Sequence, residues 1–284
     1  MDYLDDITQS VGNTPLVRIR KLTANRGISA TVLVKVEFFN PTASVKDRMA
    51  IFMLNAAAKS GELKPNSTIN EATSGNTGAA AAMYGAAHGH KVILTIPDKM
   101  SSEKIDTLKA FGAEVHICPT AVPPDDPRSY YETAKTLAAG CDEPFMLNQY
   151  HNPDNIGAHY ATTGPEIWKQ TGGQLDVLVA GIGTGGTMSG TARYLKEKNP
   201  DIEVVAVDVE GSVFYDYFCT GERDIRIASV SRIEGIGRPR VEASFIRCVI
   251  DRMMRVPDAA AVATIHWLEG VLARKCGGST GTNL

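Results

Sequence analysis

Three short segments carry residue types whose spacing suits chemistry. Residues 71–80, EATSGNTGAA, set Thr73, Ser74, Asn76 and Thr77 beside Gly75 and Gly78, where a strand should give way to a helix. Hydroxyls, an amide and free helix N–H groups then face one point, which suits a carboxylate or a phosphate. Helix capping alone does not require four polar side chains in five positions. Residues 175–197 read as strand–GIGTGG–helix, with Gly181, Gly183 and Gly186 fitting G-x-G-x-x-G. Glycines there let backbone N–H groups converge on an anion at the positive end of the helix. Asp208 lies about 20 residues further on, where a dinucleotide fold keeps its ribose-binding acid. Residues 38–50, FFNPTASVKDRMA, place Lys46 in the first turn of a predicted helix. The helix dipole disfavours a protonated amine there and lowers its pKa, and such a lysine can form a Schiff base.

These segments need elements to hold them. TPLVRI and TVLVKV read as strands. Residues 44–60 read as a helix with Ser44 as N-cap and Gly61 just past the end. STINEA, KVILTI, AEVHIC, LDVLVAGI and EVVAVDV read as further strands. Helices are expected over 75–88, 101–112, 129–139, part of 155–171, and 186–197. Continuous apolar strands alternating with helices imply parallel sheets covered on both faces. The loop-like stretch 141–155 marks a junction, so two lobes are expected, 1–150 and 151–284. Residues 209–242 are the least periodic and read as an irregular excursion.

Composition narrows the classes. The chain has 284 residues, 43% hydrophobic and 21% charged, with a net charge of −3. No surplus of positive charge marks a nucleic-acid binder, and no apolar run is long enough to span a bilayer. The start, MDYLDDITQS, lacks the basic and apolar regions of a secretory signal, so a soluble cytoplasmic protein is expected. The five cysteines and six histidines form no metal-spaced cluster, so no metal site is expected, and the histidines read as structural or solvent-facing. Asp47 and Arg48 read as local helix-start partners.

A phosphate loop, a carboxylate loop and a Schiff-base lysine are the three attachments of an amino-acid enzyme using pyridoxal phosphate. A nicotinamide dehydrogenase explains the glycine motif alone. NPTASVKDR, TSGNTG, GTGGT and the GIG at 235–237 occur in the order and spacing of one family. From residue 6 onward the sequence resembles fold-type II pyridoxal-phosphate enzymes of the cysteine synthase and cystathionine β-synthase group. PPDDPRSYYETAK and NQYHNPDN look like cystathionine β-synthases, whereas SRIEGIGRPRVEASF and GGSTGTNL look like the cysteine desulfhydrase and S-sulfocysteine synthase branches.

The resemblance implies an α/β fold of two three-layer lobes with mainly parallel sheets and the cofactor in the cleft between them. Lys46 would be the Schiff-base lysine, and Asn76 would bond the cofactor's ring hydroxyl. Gly183, Thr184, Gly185, Gly186 and Thr187 would hold its phosphate, and Ser279 would face the pyridine nitrogen. Thr73, Ser74, Thr77 and Gln149 would bind the substrate carboxylate, with Gly235 and its loop over the substrate. The implied reaction is β-replacement on serine or an O-activated serine by a sulfur nucleophile, through an aminoacrylate. Its rival is β-elimination of cysteine to sulfide and pyruvate. Small amino-acid substrates and a homodimer are family expectations, and no Cys/His pair ahead of residue 10 provides for haem.

The chain departs from the family in two places. Arg238 and Arg240 stand where plain cysteine synthases carry small apolar residues; they would either bind an anionic substrate or serve structurally. The family also continues past the serine-bearing loop with a helix and a further strand. This sequence stops at GGSTGTNL, so either it is a piece of a longer chain or that segment is missing, in which case a sheet edge and one wall of the cofactor site would be exposed.

Overall fold

A computed structural model of the chain describes residues 1, 3–24, 27–123, 125–225, 231–272 and 275–284. Residues 226–230 of the irregular excursion lie outside the described residues. The chain divides into two compact units, Met1–Pro15 with Val36–Asp154, and Leu16–Lys35 with Asn155–Leu284. The junction therefore falls inside the stretch 141–155. Residues 16–35 belong with the second unit, although a single cut at 150 assigns them to the first. No local composition shift marks that excursion, because a chain crossing twice looks like any other loop.

The excursion holds β1 (Leu16–Arg18), α1 (Arg20–Ala24) and β2 (Leu33–Lys35). β1 and β2 pair antiparallel, Leu16 opposite Lys35.

In the first unit, α2 (Lys46–Ser60) precedes a sheet built from β3 (Thr68–Ala72), β4 (Val92–Pro97), β5 (Glu114–Cys118) and β6 (Pro144–Met146). The strand order is β5-β4-β3-β6, and every pairing is parallel. α3 (Asn76–His88), α4 (Ser102–Ala110) and α5 (Tyr130–Ala139) supply the crossovers. All six residues of β4 are buried, as expected of a strand covered on both faces. Ala80, Ala81 and Ala82 are fully buried though they point to different sides of α3, and their small size lets the helix lie close to its neighbours. α2 begins one turn position later than capping rules suggest. Val45 takes the cap position, and Ser44 Oγ accepts the Lys46 N–H at 3.2 Å. Gly61 closes the helix in the left-handed region, φ 81°. β6 is a three-residue strand within the loop-like stretch, too short for any periodicity to show.

In the second unit, α6 (Asp154–Ala158), which begins on the last residue of the first unit, runs through one π turn (His159–Thr163) into α7 (Gly164–Thr171). The helix expected within 155–171 is thus present but locally underwound. β7 (Val177–Gly181), β8 (Glu203–Val209) and β9 (Arg252–Val256) form a parallel sheet of order β7-β8-β9, with α8 (Gly186–Lys198) linking the first two strands. α9 (Phe214–Thr220), α10 (Asp258–Leu272) and α11 (Gly278–Asn283) complete the unit. Ile182, Met188, Leu195, Val204 and Phe214 form the middle of its core. Among the described residues, no helix is long and apolar enough to cross a membrane.

Gly190 decides how closely α8 packs on the π turn. A Cβ there would stand 2.3 Å from the Ile156 carbonyl oxygen and 2.9 Å from His159 Cβ. Gly190→Ala should cost about 1–3 kcal/mol in urea unfolding, the usual scale of overpacking. Gly270→Ala, in α10 with nothing within 4 Å, should instead be neutral or stabilising by about 0.5–1 kcal/mol.

Candidate active site

The segment ahead of α2 is held by a polar network. Arg48, almost wholly buried, donates from Nε to Glu37 Oε2 at 2.6 Å and from Nη2 to Glu37 Oε1 at 2.9 Å. Thr14 Oγ1 donates to Glu37 Oε1 at 2.7 Å, and Asn40 Nδ2 donates to Oε2 at 2.8 Å. Asp47 accepts from the Thr42 N–H at 2.7 Å and also bonds the Thr42 hydroxyl. Asp47 is thus a local partner, as expected, whereas Arg48 reaches back eleven residues to Glu37.

This network presents Lys46 at the first position of α2. Lys46 is half-buried, and no hydrogen bond or ion pair to its Nζ occurs among the described residues. Burial holds the amine below the ordinary lysine pKa, and the Glu37 charge opposes this more weakly. The direction matches the sequence expectation, but desolvation is the leading cause.

The TSGNTG loop joins β3 to α3. Thr73 Oγ1 accepts from the N–H groups of Gly75 (3.1 Å) and Gly78 (3.3 Å), so that hydroxyl holds the loop's shape. Thr77 Oγ1 donates to Gln149 Oε1 at 2.8 Å, bringing together two predicted carboxylate binders far apart in sequence. Ser74 and Asn76 are exposed. Beneath the loop lies Glu71, absent from the sequence-level candidates. Its carboxyl accepts from the N–H of Asn148 (2.8 Å) and of Gln149 (3.4 Å), which anchors Gln149. The available signal was an acid inside a strand that is otherwise covered on both faces. Burial pushes the Glu71 carboxyl up to about 7, outweighing the hydrogen bonds that favour its charged form.

In the second unit, the loop 183–187 opens α8. Gly185 has φ +100°, and a Cβ there would meet the Phe245 N–H at 2.7 Å. A Cβ on Gly186 would overlap Asn155 Oδ1. Asn155 Nδ2 in turn donates to Thr184 Oγ1 at 2.9 Å, and the Gly186 N–H reaches the same oxygen at 3.4 Å. Thr187 Oγ1 lies 3.1 Å from His159 Nε2. Neither Asn155 nor His159 belongs to a phosphate-loop pattern, so the sequence alone does not mark them as partners of this loop. The loop offers backbone N–H groups and two threonine hydroxyls at the start of a 13-residue helix, with no acidic side chain in 183–187. That donor set fits a phosphate.

The GIG segment lies beside this loop. The Gly237 N–H donates to the Ile182 carbonyl at 2.7 Å, and a Cβ on Gly183 would stand 2.3 Å from the Gly235 carbonyl oxygen. Ser279 is half-buried on α11, and its carbonyl accepts from Asn283 Nδ2 at 2.6 Å. Both unusual arginines turn to one acid. Arg238 donates from Nε to Glu242 Oε1 at 2.9 Å, and Arg240 Nε lies 3.4 Å from the same oxygen. The Arg238 side chain is 14% exposed and that of Arg240 45%. Asp208 is wholly buried and accepts the Tyr215 N–H at 2.9 Å, so it is not placed to meet a ribose in solvent.

The family model for pyridoxal-phosphate dependent enzymes matches residues 7–284. Cystathionine beta-synthase of Oryctolagus cuniculus is 42% identical over 282 residues, covering 98% of this chain and 50% of that protein. Cysteine synthase 1 of Neurospora crassa is 38% identical, covering 92% of this chain and 69% of its own length. The chain spans about half the length of the cystathionine beta-synthases it matches. Among solved structures, the O-acetylserine dependent cystathionine beta-synthase from Helicobacter pylori superposes with TM-score 0.89 at 32% identity, covering 100% of this chain and 89% of that one. A hydrogen sulfide-producing enzyme from Fusobacterium nucleatum gives the same values. The chain belongs to the pyridoxal-phosphate dependent enzymes. This removes the dehydrogenase alternative, whose ribose-binding acid is also buried.

Glu71 makes stability pH-dependent. Below its ordinary value of 4.5 the carboxyl is neutral in both folded and unfolded chains, and its contribution is fully present. As pH rises to about 7 the unfolded chain releases the proton that the folded chain retains, so stability falls. Urea midpoints measured across that window should decline for the wild type relative to Glu71→Gln, with the difference levelling off above it.

Proposed function

We propose that this chain binds pyridoxal phosphate and catalyses β-replacement on serine or an O-activated serine with a sulfur nucleophile. The observation that carries the reading is the half-buried Lys46 amine, with a lowered pKa and no hydrogen-bond or ion-pair partner among the described residues, in a chain of this family. Relatives named cystathionine beta-synthase and cysteine synthase support the reaction type, and the O-acetylserine dependent neighbour supports an activated serine.

Pyridoxal phosphate, when bound, supplies the electron sink that lets the Cα–H bond break and the group on Cβ leave. Lys46 would hold the cofactor, and its amine would take the α-proton as general base, a role that a lowered pKa favours. The loop 183–187 holds the phosphate through its N–H groups and hydroxyls. Asn76 orients the ring hydroxyl. Thr73, Ser74, Thr77 and Gln149 receive the substrate carboxylate, and Glu71 keeps Gln149 in place. Ser279 would face the ring nitrogen, and its neutral hydroxyl would not hold that nitrogen protonated as an aspartate would. Gly235 and its loop lie over the substrate.

Elimination is a second reading, favoured by the hydrogen sulfide-producing neighbour. Neither reaction requires a metal or haem. The enzyme is proposed to be a cytoplasmic homodimer.

Borohydride should abolish a visible absorption band and leave the label on Lys46, and Lys46→Ala should lose turnover by orders of magnitude. A colourless protein that takes up no label would overturn the reading. Serine, O-acetylserine, O-phosphoserine and cysteine, each assayed with and without sulfide or homocysteine, should yield a thioether or cysteine; pyruvate and sulfide from cysteine alone would favour elimination. Arg240, the more exposed of the two arginines, is the better candidate for an anionic substrate. Arg240→Ala should raise KM for O-phosphoserine several-fold and leave that for serine unchanged.

A further inference from the structure

We infer that His159 is a positioning residue that makes Thr187 a hydrogen-bond donor toward a bound phosphate. The inference rests on the reading of loop 183–187 as the phosphate site. His159 is 1% exposed and sits in the π turn, a distortion that recurs at functional sites. Its two ring nitrogens each meet a threonine hydroxyl. Nε2 lies 3.1 Å from Thr187 Oγ1, and Nδ1 lies 2.9 Å from Thr163 Oγ1. The close packing at Gly190 holds the imidazole against α8.

A hydroxyl has one hydrogen to give, and a neutral imidazole has one N–H and one lone pair. Two arrangements satisfy the chain. In one, Nδ1–H donates to Thr163, and Thr187 spends its hydrogen on Nε2. Thr187 then presents only lone pairs to an anion, which repel it. In the other, Thr163 donates to Nδ1, and Nε2–H donates to Thr187. The Thr187 hydrogen is then free for a phosphate oxygen. An anion at the loop therefore selects the second arrangement. A buried apolar side chain at 159 would leave the orientation of the Thr187 hydroxyl undetermined and the Thr163 hydroxyl short of a partner. The same segment also supplies Asn155 to Thr184, so α6 and the π turn orient both hydroxyls of the loop from behind.

The test compares binding of pyridoxal phosphate and of pyridoxal, which lacks the phosphate, by spectroscopic titration of the apoprotein. His159→Leu should weaken pyridoxal phosphate binding roughly tenfold, the effect of one lost hydrogen bond to a charged group, and leave pyridoxal binding unchanged. His159→Gln, whose amide can donate where Nε2 does, should recover most of the loss. Thr187→Val should weaken binding, and adding His159→Leu to it should bring little further loss. In wild-type protein carrying ¹⁵N-histidine, pyridoxal phosphate should move the His159 shifts to those of the Nε2-protonated tautomer. Equal losses in the Leu and Gln variants, an equal loss for pyridoxal, or an Nδ1-protonated ring in the complex would overturn the inference. No effect of Thr187→Val would overturn instead the reading of the loop on which it rests.

Discussion

Removing an amine from water favours its neutral form, and much of the first unit bears on that single interaction. Lys46 has no ion pair among the described residues, and Glu37 is tied to Arg48, Thr14 and Asn40. Had that carboxylate been free to swing to Lys46, it would have favoured the ammonium form. The turn formed by Asn40, Thr42, Ser44 and Asp47 then sets where the helix begins, and with it where the amine stands. Desolvation and the helix dipole act in the same direction, while the nearby acid is kept occupied.

In the second unit, the loop proposed to hold the phosphate meets the opposite problem, a concentrated negative charge. Close approach of backbone N–H groups leaves no room for side chains, and each glycine of the loop has a neighbour that a Cβ would strike: Gly235 for Gly183, Phe245 for Gly185, Asn155 for Gly186. The neighbours are themselves functional or structural parts of the site. Asn155 and His159 come from a helix that runs behind the loop rather than from the loop itself, so the hydroxyls of Thr184 and Thr187 are oriented by residues roughly thirty positions earlier. The buried Glu71 does the same in the first unit, holding Gln149 from below.

Arg238 and Arg240 show how a surface reading changes in three dimensions. Two adjacent cations beside a substrate loop look like an anion site. Glu242, 1% exposed, takes both, which gives Arg238 a structural task and leaves Arg240 the more available to solvent.

Motifs and alternation were legible without coordinates because they are local. The glycine and hydroxyl spacings of 73–78 and 183–187, the lysine at a helix start, and the apolar runs of β3, β4, β5, β7 and β8 express short-range constraints on dihedral angle, burial and backbone access. They determined the α/β class, the parallel sheets and the family. Tertiary structure alone decided the rest. It assigned residues 16–35 to the second unit, placed β6 within a loop-like stretch, drew Thr77 to Gln149, and set Glu71, Asn155 and His159 behind the loops they support. Those partners are chosen by contact between distant segments, and a side chain's hydrogen-bond partner, unlike its helical phase, leaves no period in the sequence.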